Sequence, residues 1–291
     1  MKPATLTPAM ARVLLSLHRY HYLMPYQFTR LDGFAPHVTA VHKVLARFPA
    51  ERSEIAFVRS GVEAGKGRIP RLYYLTRHGA AVVAEMMQVE PESVFYPKGD
   101  KLPVADVLHR AMTVDVWIEL DRYAGATGGE VEFFHPYFRT SGANRGSEPE
   151  ARLKKLTRID FPPPVAKKHS KPFFWPDACF ALRTPQKRLL CLLECYRGID
   201  TGRVIRQLEW HLLALEHGLP SVKYGFETGN LVLLVFDGDT PMQAVMKRLL
   251  VRPDFDDFAG FIAFSTMQRL QAKFEDWWYV WHGEIKPGRL G

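Results

Sequence analysis

"FFWPDACFAL" (173–182) and "RLLCLLECY" (188–196), joined by "RTPQK", decide the fold. Each run has strand length, is apolar almost throughout and is bounded by turn residues, the pattern of a strand covered on both faces. Such a strand should carry no charge. Asp177 and Glu194 break that rule, and a local break in consistent patterning is expected at a functional site. Residues two apart on a strand share a face, so Glu194 and Tyr196 point one way while Cys191, Leu193 and Cys195 point the other. If the two runs pair as a hairpin, Asp177 comes near Glu194. Two carboxylates in an apolar setting need a cation or a proton between them. Oxygen ligands of this type suit Mg2+ or Mn2+, which bridges carboxylates to a phosphodiester and polarises water. The plainer alternative has Asp177 capping a strand end and Glu194 pairing with Arg197 or Arg203.

Downstream, "TGRVIRQLEWHLLALEHG" reads as a helix, "NLVLLVF" as a strand, "TPMQAVMKRLL" as a helix and the stretch near "FAGFIAFS" as a strand. Upstream, "VADVLHRAMTVDVWIELDRYAG" predicts a helix from about Val104 to Tyr123, with His109, Met112, Val116 and Glu119 near one face. The strand "GEVEFFHP" follows it. Helix, three strands, helix, strand, helix, strand is a mixed α/β layer architecture. His109 and Glu119 are candidate contributors to the carboxylate site, although a lone helical His is more often a packing residue. Between the upstream strand and the central pair, residues 137–172 are polar, basic and Pro-rich. They read as a long loop without much core, a candidate nucleic-acid contact through Lys154, Lys155, Lys167 and Lys168. The tail "MQRLQAKFEDWWYVWHGE" reads as aromatic packing against the sheet or a dimer contact.

The first ninety residues predict a separate helical module. Thr7 and Pro8 open a helix whose Met10, Val13, Leu14 and Leu17 form a stripe. A short second helix around "MPYQFTRL" leads to "APHVTAVHKVLARF", with Val38, Val41, Leu45 and Phe48 as core and His37, Lys43 and Arg47 off it. Two strands, "EIAFVRS" and "RIPRLYYLT", flank the Gly-rich "GVEAGKG", beside which stand Arg59, Lys66, Arg68 and Arg71. Thr76 opens a closing helix. Three helices followed by a basic hairpin describe a winged helix-turn-helix, which sets its third helix in a DNA major groove and its wing on phosphate. The same module used for protein contact is the alternative.

Charge distribution favours an anionic polymer. Of 291 residues, 39 are Lys or Arg and 31 Asp or Glu, a net charge of +8. Residues 1–90 hold 12 basic against 6 acidic side chains and residues 137–172 hold 9 against 3, which leaves 18 against 22 elsewhere. The excess thus sits in two segments. No leader or spanning segment is visible, so a cytoplasmic protein without a membrane partner is expected. The three cysteines lie in the central strands, where they behave as small hydrophobes, and neither a disulfide nor a closed zinc site is expected. Walker, dinucleotide and Gly-x-Ser-x-Gly motifs are absent from the sequence.

"PDACFAL" followed by "LLCLLECYRG" resembles the P-D then E-x-K signature of PD-(D/E)XK restriction-endonuclease-like proteins. Together with "RLYYLTRHGAAVVAE", "VLHRAMTVDV" and the "ECYRG" turn, the chain resembles the replication-relaxation family of plasmid and mobile-element proteins, related to mobilisation relaxases built on the nuclease fold. The resemblance runs from about Leu14 to about Phe236. It implies that Asp177 and Glu194 are metal ligands for Mg2+ or Mn2+. It departs at the Lys, which is replaced by Tyr196. Arg203 or Arg206 from the following helix could supply the missing cation, and Tyr196 is itself a candidate nucleophile.

The sequence therefore predicts an α/β (α+β) protein: a winged helix-turn-helix over 1–96 and a PD-(D/E)XK nuclease-like mixed-sheet domain over 101–291. Double-stranded DNA is the expected partner, with single-stranded DNA and a second copy of the chain as further candidates. The expected function is DNA binding in the replication or mobilisation of a plasmid or mobile element, with metal-dependent nicking as its candidate chemistry; the alternative is a non-catalytic DNA-binding accessory factor or transcriptional regulator using a degenerate nuclease fold.

Overall fold

The computed structural model of the protein describes residues 6–49, 53–58, 61–63, 67–97, 102–141 and 154–290. The chain forms two compact units, Met1–Ile118 and Glu119–Gly291. Their boundary falls inside a helix, whereas composition placed a junction at 97–103, of which 98–101 lie outside the described residues.

The first unit begins with α1 (Pro8–Tyr20), where the Thr7 hydroxyl accepts from the Met10 N–H at 3.3 Å and Met10, Val13, Leu14 and Leu17 are buried. α2 (Pro25–Phe28) and α3 (Val38–Leu45) follow. Val41, Leu45 and Phe48 are buried as expected, but Val38, in the first turn of α3, is 39% exposed. The antiparallel pair β1 (Ile55–Val58) and β4 (Leu72–Leu75) encloses a smaller pair, β2 (Val62–Glu63) and β3 (Gly67–Arg68). α4 (Arg77–Met87) is capped by Thr76, whose hydroxyl accepts from Gly79 N–H at 3.1 Å. Gly79 is required there: a Cβ would stand 1.9 Å from the Glu54 carbonyl oxygen.

α5 (Val104–Thr127) runs across the boundary, and every residue from Ala111 to Leu120 is buried. An amphipathic face was the expectation; a helix covered all round is the finding. Burial of Asp115 on this helix is supported by Tyr26 Oη at 2.9 Å, Gln27 Nε2 at 3.0 Å and the Arg30 guanidinium.

The second unit is built on a seven-stranded mixed sheet. Its strands are β5 (Glu130–Pro136), β10 (Ala178–Arg183), β11 (Arg188–Tyr196), β12 (Leu231–Phe236), β13 (Ile262–Thr266), β14 (Trp277–Trp281) and β15 (Glu284–Gly288), adjacent in that order. β11, β12 and β13 are parallel and the remaining pairs antiparallel. Parallel neighbours require crossovers, supplied by α7 (Thr201–Glu216) with α8 (Leu219–Tyr224), and by α9 (Asp239–Leu250). Cys179, Leu192 and Tyr196 pack with Val204 and Leu208 of α7 and Val245 of α9, so the even positions of β11 face these helices. After α10 (Met267–Ala272), the tail extends the sheet as a hairpin, with Trp277 fully buried.

Residues 137–172 hold more structure than their composition suggested. β6 (Thr140–Ser141) pairs with β7 (Lys154–Lys155), and β8 (Ile159–Asp160) pairs with β9 (Phe173–Phe174). Between β8 and β9 lies α6 (Pro163–His169). Ile159, Phe161 and Phe174 are buried against Ala214 of α7. Three apolar side chains suffice because β8 and β9 bring them to one spot, and the proline run is compatible with a helix start, where an N–H is not needed. Among the described residues, no helix is long and apolar enough to cross a membrane.

Candidate functional site

The hairpin register brings the carboxylates together. Ala178 pairs with Leu193 and Cys179 with Leu192, so Asp177 continues the strand line opposite Glu194. Asp177 is fixed at the sheet end from both sides: its carbonyl accepts from Tyr137 N–H at 2.7 Å, and its Oδ2 accepts from Cys195 N–H at 2.8 Å. Glu194 is 3% exposed. Both lie at the carboxyl end of β11, beside the crossover into α7, where open α/β sheets ordinarily place their sites.

α7 adds a residue that sequence reasoning passed over. His211 is fully buried, with Nε2 2.7 Å from Glu194 Oε1 and its ring edge-on to Phe174 at 4.9 Å. It occupies the apolar stripe Val204, Leu208, His211, Leu212, so the signal was a polar group on a core stripe, which resembles a packing residue until its partner is known. Burial lowers His211 from 6.5 to about 3, against the pull of Asp177. Glu194 moves the other way. Burial raises it well above 4.5, the Asp177 charge and hydrogen bond raise it further, and Arg203 and Lys171 oppose the rise. Two carboxylates and a neutral imidazole therefore share a site that holds a proton, or a cation, in preference to two bare charges.

Lys171 was not singled out from the sequence either. α6 ends at Ser170 with φ 52°, and the Lys171 N–H then closes the turn on the Ala166 carbonyl at 3.1 Å. This sets Lys171 Nζ 4.3 Å above the Trp210 ring, within electrostatic reach of Glu194. Burial lowers Lys171 and Glu194 counteracts it. Arg203 also acts on Glu194 and Tyr196; Arg206, one turn further along α7, is exposed and is not among the principal charges that shift Glu194.

Tyr196 lies on the Glu194 face as its spacing required, but it is 6% exposed and its hydroxyl is buried without a hydrogen-bond partner among the described residues. Burial raises its pKa well above 10.0, with Glu194 and Asp177 adding to the rise. Of the two candidates on α5, Glu119 is buried and ion-paired with Arg122 at 3.1 Å, and the His109 carbonyl accepts from Thr113 Oγ1.

Asp177 and Glu194 meet the oxygen-ligand requirement of Mg2+ or Mn2+, whose other positions are ordinarily filled by water and substrate phosphate. No group of three or more His, Cys, Asp and Glu side chains among the described residues would close a site by protein alone.

The candidate DNA contacts fall in both units. His37 precedes α3 as its N-cap, and it, Lys43, Arg47 and Arg68 are exposed. Arg71 lies with its guanidinium 4.2 Å above Phe57, in the wall of a cavity of about 1320 Å3 that also includes His42 and Tyr73. Arg59 and Lys66 fall outside the described residues, and of Lys154 and Lys155 the backbone alone is described. Lys167 and Lys168 are exposed in the last turn of α6.

No model of a known protein family matches the chain, and neither a curated protein nor a solved structure matches it.

Proposed function

We propose that the protein binds DNA of a plasmid or mobile element, through a winged helix in its first unit, and nicks it at the Asp177–Glu194 pair of a PD-(D/E)XK-like second unit. The observation that carries this reading is the pair itself: two carboxylates opposed across β10 and β11, one of them buried against its own charge. The repulsion from Asp177 that helps to raise Glu194 would be relieved by a cation between the two.

Each part has a support. α1 to α3 followed by the β1–β4 pair is the element order of a winged helix, with exposed basic side chains on α3 and β3. The mixed sheet with carboxylates at the strand ends is what the nuclease resemblance implies. Bound Mg2+ or Mn2+ would polarise a phosphodiester oxygen and lower the pKa of a water. The chain's own groups hold the ligands in place, Cys195 N–H on Asp177 and His211 on Glu194. Lys171 and Arg203 supply the positive charge for which Tyr196 cannot substitute. Burial of the Tyr196 hydroxyl weighs against a covalent tyrosine intermediate.

A second reading, a non-catalytic grip on DNA, is favoured by one observation: Glu194 Oε1 is already engaged by His211 in a dry position. Plasmid nicking separates the two. Supercoiled plasmid carrying the cognate origin should yield open circles in Mg2+ or Mn2+, none with chelator, and none with Asp177→Asn, which still binds duplex. Duplex affinity should fall with salt at about 0.9 per neutralised phosphate on log axes. Replacing Lys43, Arg47 and Arg68 with Ala should flatten that slope. Tight cognate binding without cutting in either metal leaves the grip; salt-independent binding removes DNA altogether.

A further inference from the structure

A cleft of about 750 Å3 runs along the outer side of α7, with His169, Arg203, Arg206, Gln207 and Trp210 in its wall. Residues 203, 206, 207 and 210 recur at three and four, so they form one stripe about 10 Å long. We propose that this cleft binds an unpaired DNA strand, with a base stacked on the Trp210 indole and its neighbouring phosphates on Arg203 and Arg206. The inference rests on the reading that the protein acts on DNA, and it adds the class of strand and where that strand lies.

Three observations carry it. Trp210 is only half-buried, and the Lys171 ammonium (Nζ at 4.3 Å) and the His169 ring (at 6.3 Å, edge-on) border its indole, which is how a stacking platform beside phosphates is built. Gln207 Oε1 is buried in the cleft wall without a hydrogen-bond partner among the described residues, and a base N–H would satisfy it. Arg203 and Arg206 are exposed and enter no ion pair among the described residues, while two of the acidic groups in the wall, Glu209 and Asp254, are already held by Arg252. Glu216 stands at the opposite end of the helix from Arg203, where it would repel a phosphate and so limit the path. A duplex does not fit this wall: its bases present edges in the grooves, whereas an indole needs an open base face. The volume suits a nucleotide-sized occupant. Arg203, one of the cleft's cations, also acts electrostatically on Glu194, so a phosphate held by Arg203 would change the charge felt by the carboxylate pair.

The test uses a fluorescein-labelled oligothymidylate and the full-length protein without divalent metal, read by anisotropy and by tryptophan emission. Wild type should bind with quenched emission. Trp210→Ala should weaken binding roughly 5- to 150-fold, the range for one stacked base, while Trp210→Phe retains part of it. Arg206→Glu reverses an exposed charge without touching the core, so it reports even if Trp210→Ala fails to fold. It should weaken oligothymidylate binding and leave duplex affinity unchanged. Wild-type binding that neither Trp210→Phe nor Arg206→Glu alters overturns the cleft and spares the DNA reading, and so does equal loss of duplex and single-strand affinity. Absence of oligothymidylate binding by wild type overturns the cleft as well. Single-strand binding that depends on the cleft, in a protein that never nicks, upholds the cleft and sinks the nuclease.

Discussion

Asp115 in the first unit and Glu194 in the second are both buried carboxylates, and burial is the leading cause of a raised pKa in each. Their neighbours differ. Asp115 has three donors, Tyr26, Gln27 and Arg30, and all three pull its pKa back down. Glu194 has a single imidazole in contact and a second carboxylate, Asp177, that pushes its pKa further up. The first arrangement ties α2 to α5 and is complete without any outside group. The second is satisfied by a proton or a cation. Burial alone therefore does not mark a site; the sign of the neighbours does.

The sharpest separation comes from neutralising each carboxylate. Glu194→Gln keeps the shape and a hydrogen-bonding group for His211 while removing the repulsion. Nicking should fall by about 1000-fold or more, several kcal/mol of lost charge stabilisation, with no drop in melting temperature. Asp115→Ala should do the reverse, costing about 3–5 kcal/mol in urea unfolding because Arg30 is left buried without its anion. A Glu194→Gln protein as destabilised as Asp115→Ala would make both residues structural and end the contrast.

pH sharpens it next. Glu194 is raised, so its share of stability is full below pH 4.5 and is lost as pH rises through its folded value. His211 is lowered to about 3, so its share is full above pH 6.5 and is lost as pH falls towards 3. A cation competes with the proton on Glu194, and millimolar Mn2+ should raise the melting temperature more at about pH 8 than at about pH 5.5. His211→Gln should flatten the acid side of the stability curve. Equal Mn2+ shifts at both pH values would mean that the metal binds elsewhere.

The smallest effect belongs to Tyr196→Phe. Its hydroxyl is buried and unpartnered, so removing it should change stability by less than about 1 kcal/mol, in the stabilising direction, and leave nicking intact. Complete loss of nicking would restore the tyrosine as nucleophile.

Much was legible in the sequence because it was local. Apolar runs at 178–183 and 188–196 gave strands, Thr7 and Thr76 gave helix starts, and the period of two put Glu194 and Tyr196 on one face. Even the proximity of Asp177 to Glu194 followed from a short hairpin, whose register a connection of four residues, 184–187, nearly fixes. Core in the basic 137–172 stretch was not legible, because Ile159, Phe161 and Phe174 are too sparse to signal burial until α7 covers them. His211 reaches Glu194 from a helix position 17 residues away in the chain, and Lys171 acts on it from the turn after α6, 23 residues away, and no periodicity encodes such distances. By itself, then, the sequence determined the alternation of elements, the basic segments and the two out-of-place carboxylates. Tertiary structure alone decided which charges would meet, because the energy of a buried charge depends on every group packed around it, and those groups come from all over the chain.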